Sequence, residues 1–400
     1  MQLSTLLYTI GKYFGIIGFA FLAFLIFSGD TARFWNKLFG LDKIIKFQRK
    51  FSLLTAIFVL FHPIFFILSG QSALNFIIPD FSALPLALGI VAAYLFIIVM
   101  IASSIYKRIS YTAWQYIHVL TYILFFFGLY HAFNWGSDSD SWYMQLLYAI
   151  SLIAVIIGII YRTQYKIRKK YSGKFFIKNI QWETKDTFTL TIKPEKKFQF
   201  KAGQFCFLRL NKNKLYARHP FTISSSPDED DLQFTIKNTG RFTKTASELK
   251  SGEEILIDGP FGNFIEQDNE NDLVFIAGGV GITPFISIIK DHSNHKKTRN
   301  ITLVYGSRTK EDIIFKNKFD SIEENWFKKI YILSQDNCSS ATNCIESGYI
   351  TKTIVEKYVK NINNASFYIC GPELMKDSAK KILKDLKIRK KNILVEDFFW

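Results

Sequence analysis

Three of the chain's six histidines, His62, His118 and His131, lie inside long apolar segments. An ionisable side chain is costly there and usually faces a functional interior, and imidazole is an axial ligand of haem iron. His118 and His131 lie thirteen residues apart in one predicted helix, which is roughly 20 Å along its axis. His62 belongs to a second helix that runs in the same direction, so His62 and His131 can share one layer. The pattern favours haem ligation over the alternative of buried, hydrogen-bonded histidines.

A second set of chemistry-bearing residues occupies 218–225, which reads RHPFTISS. An arginine such as Arg218 can pair with a flavin pyrophosphate. An aromatic ring such as Phe221 can stack on an isoalloxazine, and the hydroxyl of Thr222 can reach the N5 edge of the flavin. The segment predicts a flavin site, and the alternative is a strand with a proline turn.

Two further segments have phosphate-binding patterns. Residues 237–243 (KNTGRFT) place a lysine, a glycine and a threonine at a turn into a helix N-terminus. Residues 278–284 (GGVGITP) follow a predicted buried strand, 273–277, and lead into an apolar helix. The glycines allow a pyrophosphate to approach the backbone, and a proline suits the first helical turn. Because 278–284 is not the usual G-x-G-x-x-G, it is weak evidence when taken alone. The positions concerned are Lys237, Gly240, Thr243, Gly278, Gly279, Gly281, Thr283 and Pro284.

From about residue 271 the chain alternates strands and helices. Three loops there follow strands, at 278–284, 305–308 (YGSR) and 370–375 (CGPELM). Loops at the carboxyl ends of strands in one sheet are the usual place for a ligand. Arg308 could pair there with a 2′-phosphate, which favours NADPH over NADH. Gln335 stands where a second basic residue would have strengthened that prediction.

Five apolar segments carry the three histidines, and each is near the ~20 residues that cross a bilayer as a helix. Lys and Arg crowd the segments after the first, third and fifth, whereas 70–82 and 134–141 contain neither. The positive-inside rule therefore places the C-terminal half in the cytoplasm and the N-terminus outside. Lys12 interrupts the first segment, where a lysine near an end can snorkel. The predicted bounds are 5–28, 45–69, 83–105, 112–133 and 142–162.

The composition divides in the same way. Residues 1–165 hold most of the Phe, Leu and Ile, whereas 166–400 resembles a Lys-rich soluble protein. Basic clusters beside apolar segments account for the net charge of +16, and no recognition motif supports nucleic-acid binding. The four cysteines form no zinc or iron–sulfur pattern. Cys338 and Cys344 flank a polar loop, where a regulatory disulfide and two idle thiols are the alternatives.

The predicted fold is an α-helical membrane bundle fused to an antiparallel β-barrel FAD domain and an α/β nucleotide-binding domain. The three domains are expected at 1–165, 170–268 and 269–400. The barrel is indicated by short β-rich runs that turn residues separate. These runs lie at 175–180, 188–192, 205–210, 232–237 and 254–257.

The motifs H-P-F-T-x-x-S, G-G-x-G-x-T-P and C-G-P, in this order, are similar to those of the ferredoxin–NADP reductase superfamily. Fused to histidine-bearing spans, they resemble the ferric reductase and NADPH oxidase family over nearly the whole chain. The resemblance implies that Cys370 lies near the carbon that delivers hydride. It also implies that Trp400 covers the flavin until nicotinamide displaces it, with a plain hydrophobic tail as the alternative. The implied contacts are Arg218, His219, Pro220, Phe221, Thr222 and Ser225 for FAD, and Gly279, Gly281, Thr283, Cys370, Gly371 and Pro372 for the nicotinamide nucleotide.

The chain departs from that family's pattern in two places. Family members usually have six spans, and the counterpart of the first is missing here. They also commonly carry a histidine fourteen residues before the one at His62, and that position is Gln48. Because an amide oxygen is a poor ligand for haem iron, an inner haem opposite His118 is expected to be altered. It could be held by His118 alone, held with a substitute ligand, or absent, and a retained but weakly held haem is the preferred outcome.

The sequence thus predicts a multi-pass cell-membrane enzyme with cytoplasmic FAD and nucleotide domains. It would pass electrons from NADPH or NADH through FAD and one or two haem b groups to an acceptor across the bilayer. A flavin is needed because haem iron accepts one electron at a time, whereas a hydride carries two. Dioxygen, a ferric complex and an extracytoplasmic protein are the open acceptors, and membrane lipid is the other expected partner. The alternative is a membrane-anchored flavin reductase without functional haem that serves a cytoplasmic acceptor.

Overall fold

A computed structural model of the chain forms two compact units, residues 1–171 and residues 172–400, called here the N-terminal and C-terminal units. The predictions for Cys338, Cys344 and Trp400 fall outside the residues that the structure describes. The described residues are 3–106, 108–170, 173–210, 217–295, 299–336 and 345–397.

The N-terminal unit is built from helices. They are α1 Leu3–Asp30, α2 Ala32–Phe39, α3 Leu41–Leu68, α4 Leu74–Ile77, α5 Leu84–Ser104, α6 Tyr111–Trp135 and α7 Trp142–Lys170. Helices α1, α3, α5, α6 and α7 are long and apolar enough to cross a membrane, so the five predicted spans are confirmed as helices. Helix α2 occupies the basic segment between the first two spans, where no helix is predicted from the sequence.

Apolar side chains cover the outside of the helical bundle as well as its core. Phe96, Phe125 and Val155 are buried between helices, whereas Leu53 and Ile157 stand about half exposed or more. Exposed apolar surface on this scale is unusual for a protein in water and marks an interaction surface. With the lengths of the helices, it identifies a membrane protein whose helices face lipid.

Three glycines bring α1 against α3. Gly11, Gly15 and Gly18 lie on one face of α1, because their spacing is about one helical turn. A Cβ atom at Gly18 would lie 3.0 Å from Val59 Cγ2, and one at Gly15 would lie 2.5 Å from the ring of His62. Small residues allow such close approach of helices in membranes. These three glycines therefore leave space on α1 for the His62 side chain.

Two ion pairs connect α1 to α7 and to the segment just before α7. Lys12 Nζ lies 2.8 Å from Asp138 Oδ2, and Arg162 Nη1 lies 3.1 Å from Asp30 Oδ1. Tyr122 of α6 joins the second pair, because its hydroxyl donates to the Asp30 carboxylate at 2.8 Å. Lys12 and Asp30 are eighteen residues apart, which is five helical turns and about 27 Å. The lysine that interrupts the first apolar segment therefore belongs to a polar contact in the N-terminal third of α1.

The C-terminal unit contains a β-rich part followed by an α/β part. The β-rich part has two three-stranded antiparallel sheets, of order β1–β2–β5 and β4–β3–β6, around a core that includes Phe188, Leu208 and Phe234. This agrees with the predicted antiparallel fold of the FAD domain. The strands are β1 Phe175–Thr184, β2 Thr187–Pro194, β3 Phe205–Arg209, β4 His219–Thr222, β5 Leu232–Lys237 and β6 Leu256–Phe261, with helix α8 Arg241–Ser247.

The α/β part is a six-stranded parallel sheet of order β10–β9–β8–β7–β11–β12. Its strands are β7 Asp272–Gly278, β8 Ile301–Ser307, β9 Phe327–Leu333, β10 Ile345–Ser347, β11 Ala365–Cys370 and β12 Ile393–Val395. Its helices are α9 Thr283–Asn294, α10 Lys316–Asp320, α11 Lys352–Tyr358 and α12 Glu373–Asp385. The chain moves outward from β7 to β10 and then returns to β11 on the other side of β7. The loops after β7 and β11 thus lie at a topological switch point, where ligands of such sheets bind.

Helix α9 ties the two parts of the C-terminal unit together. Ser287 Oγ donates to the carbonyl oxygen of Ser225 at 2.7 Å, Lys290 Nζ lies 2.9 Å from Glu229 Oε1, and Asn294 Nδ2 donates to Ser226 Oγ at 3.2 Å. Residues 287, 290 and 294 share one face of the helix. Because α9 begins directly after the glycine loop 278–281, this contact sets the position of that loop relative to the 218–225 segment.

We expect Arg162→Met to destabilise the N-terminal unit by about 2–3 kcal/mol, because it leaves the buried Asp30 carboxylate without its cation. The midpoint of thermal unfolding in detergent measures this. Lys12→Met is the matched control: it breaks a pair whose carboxylate, Asp138, is 30% exposed against 5% for Asp30, so its loss should cost about 0.5 kcal/mol or less. Equal shifts in the two variants would contradict the assigned role of the Asp30–Arg162 pair.

Candidate functional site

The 218–225 segment forms strand β4 and the turn after it. His219 and Phe221 project from the same face of β4, and both rings pack against Phe242 of α8, at 4.1 Å and 5.8 Å between ring centroids. Burial lowers the pKa of His219, so its ring is neutral at physiological pH. Phe242 was not among the predicted site residues, yet it connects the predicted flavin strand to the start of α8.

Arg218 comes just before β4 and lies beside the neighbouring strand β3. Its guanidinium stacks over the ring of Phe207, 4.5 Å from the centroid, and Nη1 lies 3.9 Å from Asp258 Oδ2. About a third of the arginine side chain is exposed. The guanidinium is thus held by a ring and a carboxylate, with part of it open to pair with a phosphate.

The last residues of the motif are buried and hydrogen-bonded. Thr222 pairs with Phe205 of β3, and Pro220 pairs with Phe207. Ser225 Oγ accepts from the backbone N–H of Gln233 at 3.2 Å. The predicted roles of Thr222 and Ser225 toward a flavin stay predictions, because these contacts are internal to the protein.

The 237–243 segment turns into α8 as predicted. Thr243 Oγ1 accepts from the backbone N–H groups of Thr239 and Gly240, at 3.0 and 2.9 Å, and so closes the turn at the helix start. Lys237 Nζ lies 3.2 Å from Asp186 Oδ2. The turn is therefore preformed, and the lysine that the sequence assigns to a phosphate is paired with a carboxylate.

The loops after β7 and β11 touch through their glycines. A Cβ atom at Gly281 would lie 2.4 Å from the carbonyl oxygen of Cys370, and one at Gly278 would lie 2.5 Å from Met375 Sδ. A Cβ at Gly371 would lie 3.0 Å from the backbone nitrogen of Gly278. The structure thus brings the predicted nucleotide residues of the two loops together. Any larger residue would force the backbones apart at the switch point.

Tyr305, which lies in β8 at the start of the 305–308 segment, supports the glycine loop, and the sequence did not predict this role. Its hydroxyl donates to the carbonyl oxygen of Gly279 at 3.0 Å and accepts from the backbone N–H of Ile314 at 3.3 Å. Gly279 has φ of 52°, a left-handed conformation that suits glycine. Thr283, whose hydroxyl donates to the Val280 carbonyl oxygen at 3.1 Å, starts α9, and Pro284 occupies its first turn.

Cys370 ends β11 with its thiol fully buried. Burial raises the pKa of the thiol well above its usual range, and the nearby carboxylates of Glu396 and Asp397 act in the same direction. The neutral thiol is therefore the form present at physiological pH. A neutral thiol can pack against a nicotinamide ring, whereas it is a poor nucleophile.

Arg308 follows β8 and is bound by two carboxylates. Its Nε lies 3.2 Å from Asp312 Oδ2, and its Nη2 lies 3.5 Å from Asp186 Oδ2. The same Asp186 pairs with Lys237. About half of the arginine side chain is exposed. A 2′-phosphate at Arg308 would have to compete with, or join, these carboxylates.

His62 and His131 have the same hydrogen-bond arrangement. His62 Nδ1 lies 2.7 Å from the carbonyl oxygen of Gly11, and His131 Nδ1 lies 3.0 Å from that of Pro85. A carbonyl only accepts, so Nδ1 carries the hydrogen in both rings and Nε2 keeps its lone pair. Such outer hydrogen bonds orient imidazole ligands of metals. The donor set therefore fits a haem iron.

Helix α1 relates the depths of these two histidines. On α1, Gly15 lies against His62 of α3, and Phe19 lies one turn further along. Phe19 is near Gly128 of α6, and Gly128 comes one turn before His131. The two imidazoles are thus at similar depth in the bundle. His118 lies thirteen residues before His131, which is about 20 Å along α6. Its ring stacks on that of Trp114.

Polar side chains of α3 and α6 contact the Asp30 end of α1. Gln48 Nε2 donates to Ser28 Oγ at 3.3 Å, and Tyr122, one turn after His118, bonds to the Asp30–Arg162 pair. His62 and His131 form a matched pair of imidazoles, whereas Gln48 offers His118 only an amide that is engaged with α1. The residues do not fit a second haem with two imidazole ligands from these positions.

Three family models match the chain in order. Residues 14–129 match the ferric reductase like transmembrane component, 173–265 match an FAD-binding domain, and 275–381 match an oxidoreductase NAD-binding domain.

Curated relatives and solved structures agree with these matches. One component of the Na(+)-translocating NADH-quinone reductase of Idiomarina loihiensis is 31% identical over 44% of this chain, and its counterpart in Neisseria gonorrhoeae is 35% identical over 40%. The chain covers only 43% and 40% of the lengths of these two relatives. The FAD/NAD-binding domain of nitric oxide dioxygenase from Vibrio cholerae has a TM-score of 0.51 at 18% identity, over 57% of this chain and 99% of that one. A ferredoxin NADP+ reductase from Neisseria gonorrhoeae has a TM-score of 0.50 at 21% identity, over 56% and 97%. These two likenesses show the fold.

Fold, glycine loops and family matches together define a membrane-bound, NAD(P)H-dependent flavin oxidoreductase. The three matched regions agree in kind and in order with the resemblance drawn from the sequence motifs, which is thus confirmed.

The Cys370 thiol stays neutral, so its contribution to flavin reduction should not depend on pH. We expect the rate in the wild type divided by the rate in Cys370→Ala to be constant from about pH 6.5 to 9. A raised pKa keeps the protonated form dominant through the range in which an ordinary thiol ionises. Stopped-flow reduction of the bound flavin by NADH measures both rates. A ratio that changes with a midpoint near the usual thiol pKa, about 8.5, would show that the thiolate takes part.

Proposed function

We propose that this protein carries electrons from NAD(P)H through FAD and haem to an acceptor on the far side of the membrane. The observation that carries the proposal is the matched pair His62 and His131, with both Nδ1 atoms donating to backbone carbonyls and both Nε2 atoms left to bind a metal. Bound haem would accept single electrons from a two-electron carrier. Histidines placed only to fill the bundle would not need this shared orientation.

In the C-terminal unit the chain's own residues would place the nicotinamide nucleotide. The loops at 278–281 and 370–372 meet through glycines, which would let a pyrophosphate approach the backbone at the switch point. The α9 contact through Ser287 fixes this loop relative to the 218–225 strand, where Phe221 and Thr222 would meet the flavin. Arg218 and the Gly240–Thr243 turn would hold its phosphates.

The direction across the membrane follows from the charge bias of the connecting segments. The end of the bundle that carries Asp30 and Arg162 would face the cytoplasm, and the end that carries Lys12 and Asp138 would face outside. His62 and His131 lie near the Lys12 end, since His62 contacts Gly11 and Gly15 of α1. The haem that they hold would therefore deliver electrons outward.

Dioxygen, giving superoxide, and a ferric complex, giving ferrous iron, are the acceptors that fit delivery to the outside. A dedicated extracytoplasmic protein is the third. The curated relatives favour one further class, because they are components of NADH-quinone reductases. A quinone dissolved in the membrane could accept electrons without reaching the outer surface. Comparing rates with oxygen, ferric citrate and a short-chain quinone in vesicles discriminates among these acceptors.

A haem-free flavin reductase that serves a cytoplasmic acceptor is the competing function. It would use the same C-terminal unit and would treat the N-terminal unit as an anchor. The paired orientation of His62 and His131 favours the haem protein over this alternative.

Arg308 also bears on the choice between NADPH and NADH. Its position after β8 favours NADPH, whereas the carboxylates of Asp186 and Asp312 beside it oppose a 2′-phosphate. The names of the curated relatives specify NADH. Pairing of Arg308 with the 2′-phosphate remains the prediction to be tested.

We expect the purified protein to show a haem Soret band that NADPH or NADH reduces. His62→Ala and His131→Ala should each abolish the low-spin spectrum of the outer haem, because each removes one of two axial ligands. The control is His295→Ala, which removes an imidazole from the C-terminal unit and should leave the spectrum unchanged. Full haem content with an unchanged spectrum in either ligand variant would sink the assignment, and a wild type without haem would favour the anchored flavin reductase.

Arg308→Ala should raise the KM for NADPH by about tenfold, because a charge-assisted hydrogen bond to the 2′-phosphate is lost. The KM for NADH should change by less than about threefold, since NADH has no such phosphate. Steady-state kinetics with an artificial electron acceptor measure both constants. If both rise by the same factor, Arg308 has no part in nucleotide selection.

Gln48→His should convert a weakly held inner haem into a tightly bound, low-spin one, because it supplies the missing imidazole opposite His118. The haem-to-FAD ratio and the spin state of the two proteins are the measurements. Gln48→Leu controls for loss of the amide alone. Two tightly bound, fully low-spin haems in the wild type, unchanged by the substitution, would refute the prediction.

A further inference from the structure

One carboxylate, that of Asp186, contacts a cation from each of the two parts of the C-terminal unit. It belongs to the two-residue turn between β1 and β2 of the β-rich part. Its Oδ2 atom lies 3.2 Å from Lys237 Nζ, at the end of β5, and 3.5 Å from Arg308 Nη2, just after β8 of the α/β part. Two cations that the sequence assigns to phosphates therefore share one negative group.

The Asp186 carboxylate is held in place by its own turn. Its Oδ1 atom accepts from the hydroxyls of Thr187 at 2.9 Å and Thr184 at 3.2 Å. Its backbone carbonyl oxygen accepts from the N–H of Asn238, next to Lys237, at 2.8 Å. Burial works to raise the pKa of Asp186, but the hydrogen bonds from Thr187 and Lys237 outweigh it, so the pKa is lowered. The carboxylate is thus ionised at physiological pH, and its Oδ2 atom serves the two cations.

Arg308 is divided between two carboxylates that contact different nitrogens. Asp312, four residues further along the chain and 9% exposed, lies 3.2 Å from Nε, whereas Asp186 contacts the terminal nitrogen Nη2. A guanidinium binds a phosphate through a fork of two N–H groups. Asp312 therefore orients the arginine, and Asp186 occupies a terminal nitrogen that such a fork can use. Because 48% of the arginine side chain is exposed, a ligand can displace this second ion pair.

We propose that Asp186 is a specificity-determining residue for the nicotinamide nucleotide, which engages Arg308 and so weakens the binding of a 2′-phosphate. This inference rests on the nucleotide site proposed above and on the pairing of Arg308 with that phosphate. NADPH must displace Asp186 from Arg308, whereas NADH has a hydroxyl at this position and leaves the ion pair intact. Specificity is a difference of two affinities, and a cation that is already occupied lowers one of them. A residue of the β-rich part thus takes part in the choice of nucleotide.

The test compares two probes that differ only in the 2′-phosphate, adenosine 2′,5′-bisphosphate and AMP. Isothermal titration calorimetry on the full-length, FAD-loaded protein in detergent gives their dissociation constants, so the result depends neither on haem nor on an electron acceptor. Asp186→Asn removes the charge and keeps the shape of the side chain. It should tighten binding of the bisphosphate about fivefold and change that of AMP by less than about twofold.

The matched control is Asp231→Asn. Asp231 precedes the start of β5, whereas Lys237 ends that strand, and its carboxylate pairs with Lys178 of the same sheet. This substitution removes one paired carboxylate from the sheet without touching Arg308. It should leave the affinities for both probes unchanged.

Two further measurements show whether Asp186 acts through Arg308. In an Arg308→Ala background, Asp186→Asn should change the affinity for the bisphosphate by less than about twofold, because the contact that it removes is already lost. In steady-state reduction of ferricyanide, Asp186→Asn alone should lower the KM for NADPH about fivefold. Its kcat and its KM for NADH should stay within about twofold of the wild type, since neither depends on a 2′-phosphate.

Three results would overturn the proposal. The first is an Asp186→Asn variant in which the affinities for the two probes do not change or change by the same factor. The second is a fivefold gain that persists in the Arg308→Ala background, which would show that Asp186 repels the phosphate directly. The third is a wild type that binds neither probe. That result would also contradict the nucleotide site on which the proposal rests, while the haem assignment would stand.

Discussion

The contact on which the C-terminal unit depends is the buried hydrogen bond from Ser287 of α9 to the Ser225 carbonyl oxygen. Hydride transfer requires the reacting atoms to approach to about 3–3.5 Å, and the two groups that bring them together belong to different parts of the unit. Helix α9 starts at the glycine loop and is docked along one face onto the segment that follows the flavin strand. A shift of this helix would be transmitted directly to the loop. In the proposed function, this docking contact would therefore set how the glycine loop lies relative to the 218–225 segment.

The glycines at the switch point also fix the relative positions of two segments, the loops after β7 and β11. Gly281 lies so close to the Cys370 carbonyl oxygen that no side chain fits between the two loops. Their backbones can then present one continuous surface to a nucleotide. Tyr305 holds the loop in its left-handed conformation at Gly279 through a hydrogen bond that a phenylalanine could not make.

Much of the architecture could be predicted because it depends on local pattern. Apolar length identified the five spans, and strand-end glycines identified the loops that meet at the switch point. The contacts of Phe242 and Tyr305 could not be found in this way, since their partners are chosen by packing of distant segments and no periodicity marks them. The Asp30–Tyr122–Arg162 cluster joins three helices that are far apart in sequence. Sequence could indicate that Arg162 borders the membrane, but it could not show which carboxylate it binds.

The orientation of the histidine rings is a further property that sequence alone does not contain. Their positions along two helices that run in the same direction predicted a shared layer for His62 and His131. The availability of Nε2 in each ring comes instead from the carbonyls of Gly11 and Pro85, which bind Nδ1. Gly11 lies in a helix that carries no candidate ligand. The helix that supplies no metal ligand thus determines which nitrogen of His62 is available.

The spacing of the ion pairs on helix α1 can be compared with the thickness of a bilayer. Its two charged contacts, at Lys12 and Asp30, are about 27 Å apart, and the residues between them carry no charge. That interval is slightly shorter than the ~30 Å hydrocarbon core of an average bilayer. Hydrophobic mismatch costs fractions of a kcal/mol per Å, so a thicker, sterol-rich bilayer would have to thin around this protein or pull its ion pairs into lipid. A bilayer whose hydrocarbon core is close to this interval would leave both ion pairs near its two surfaces.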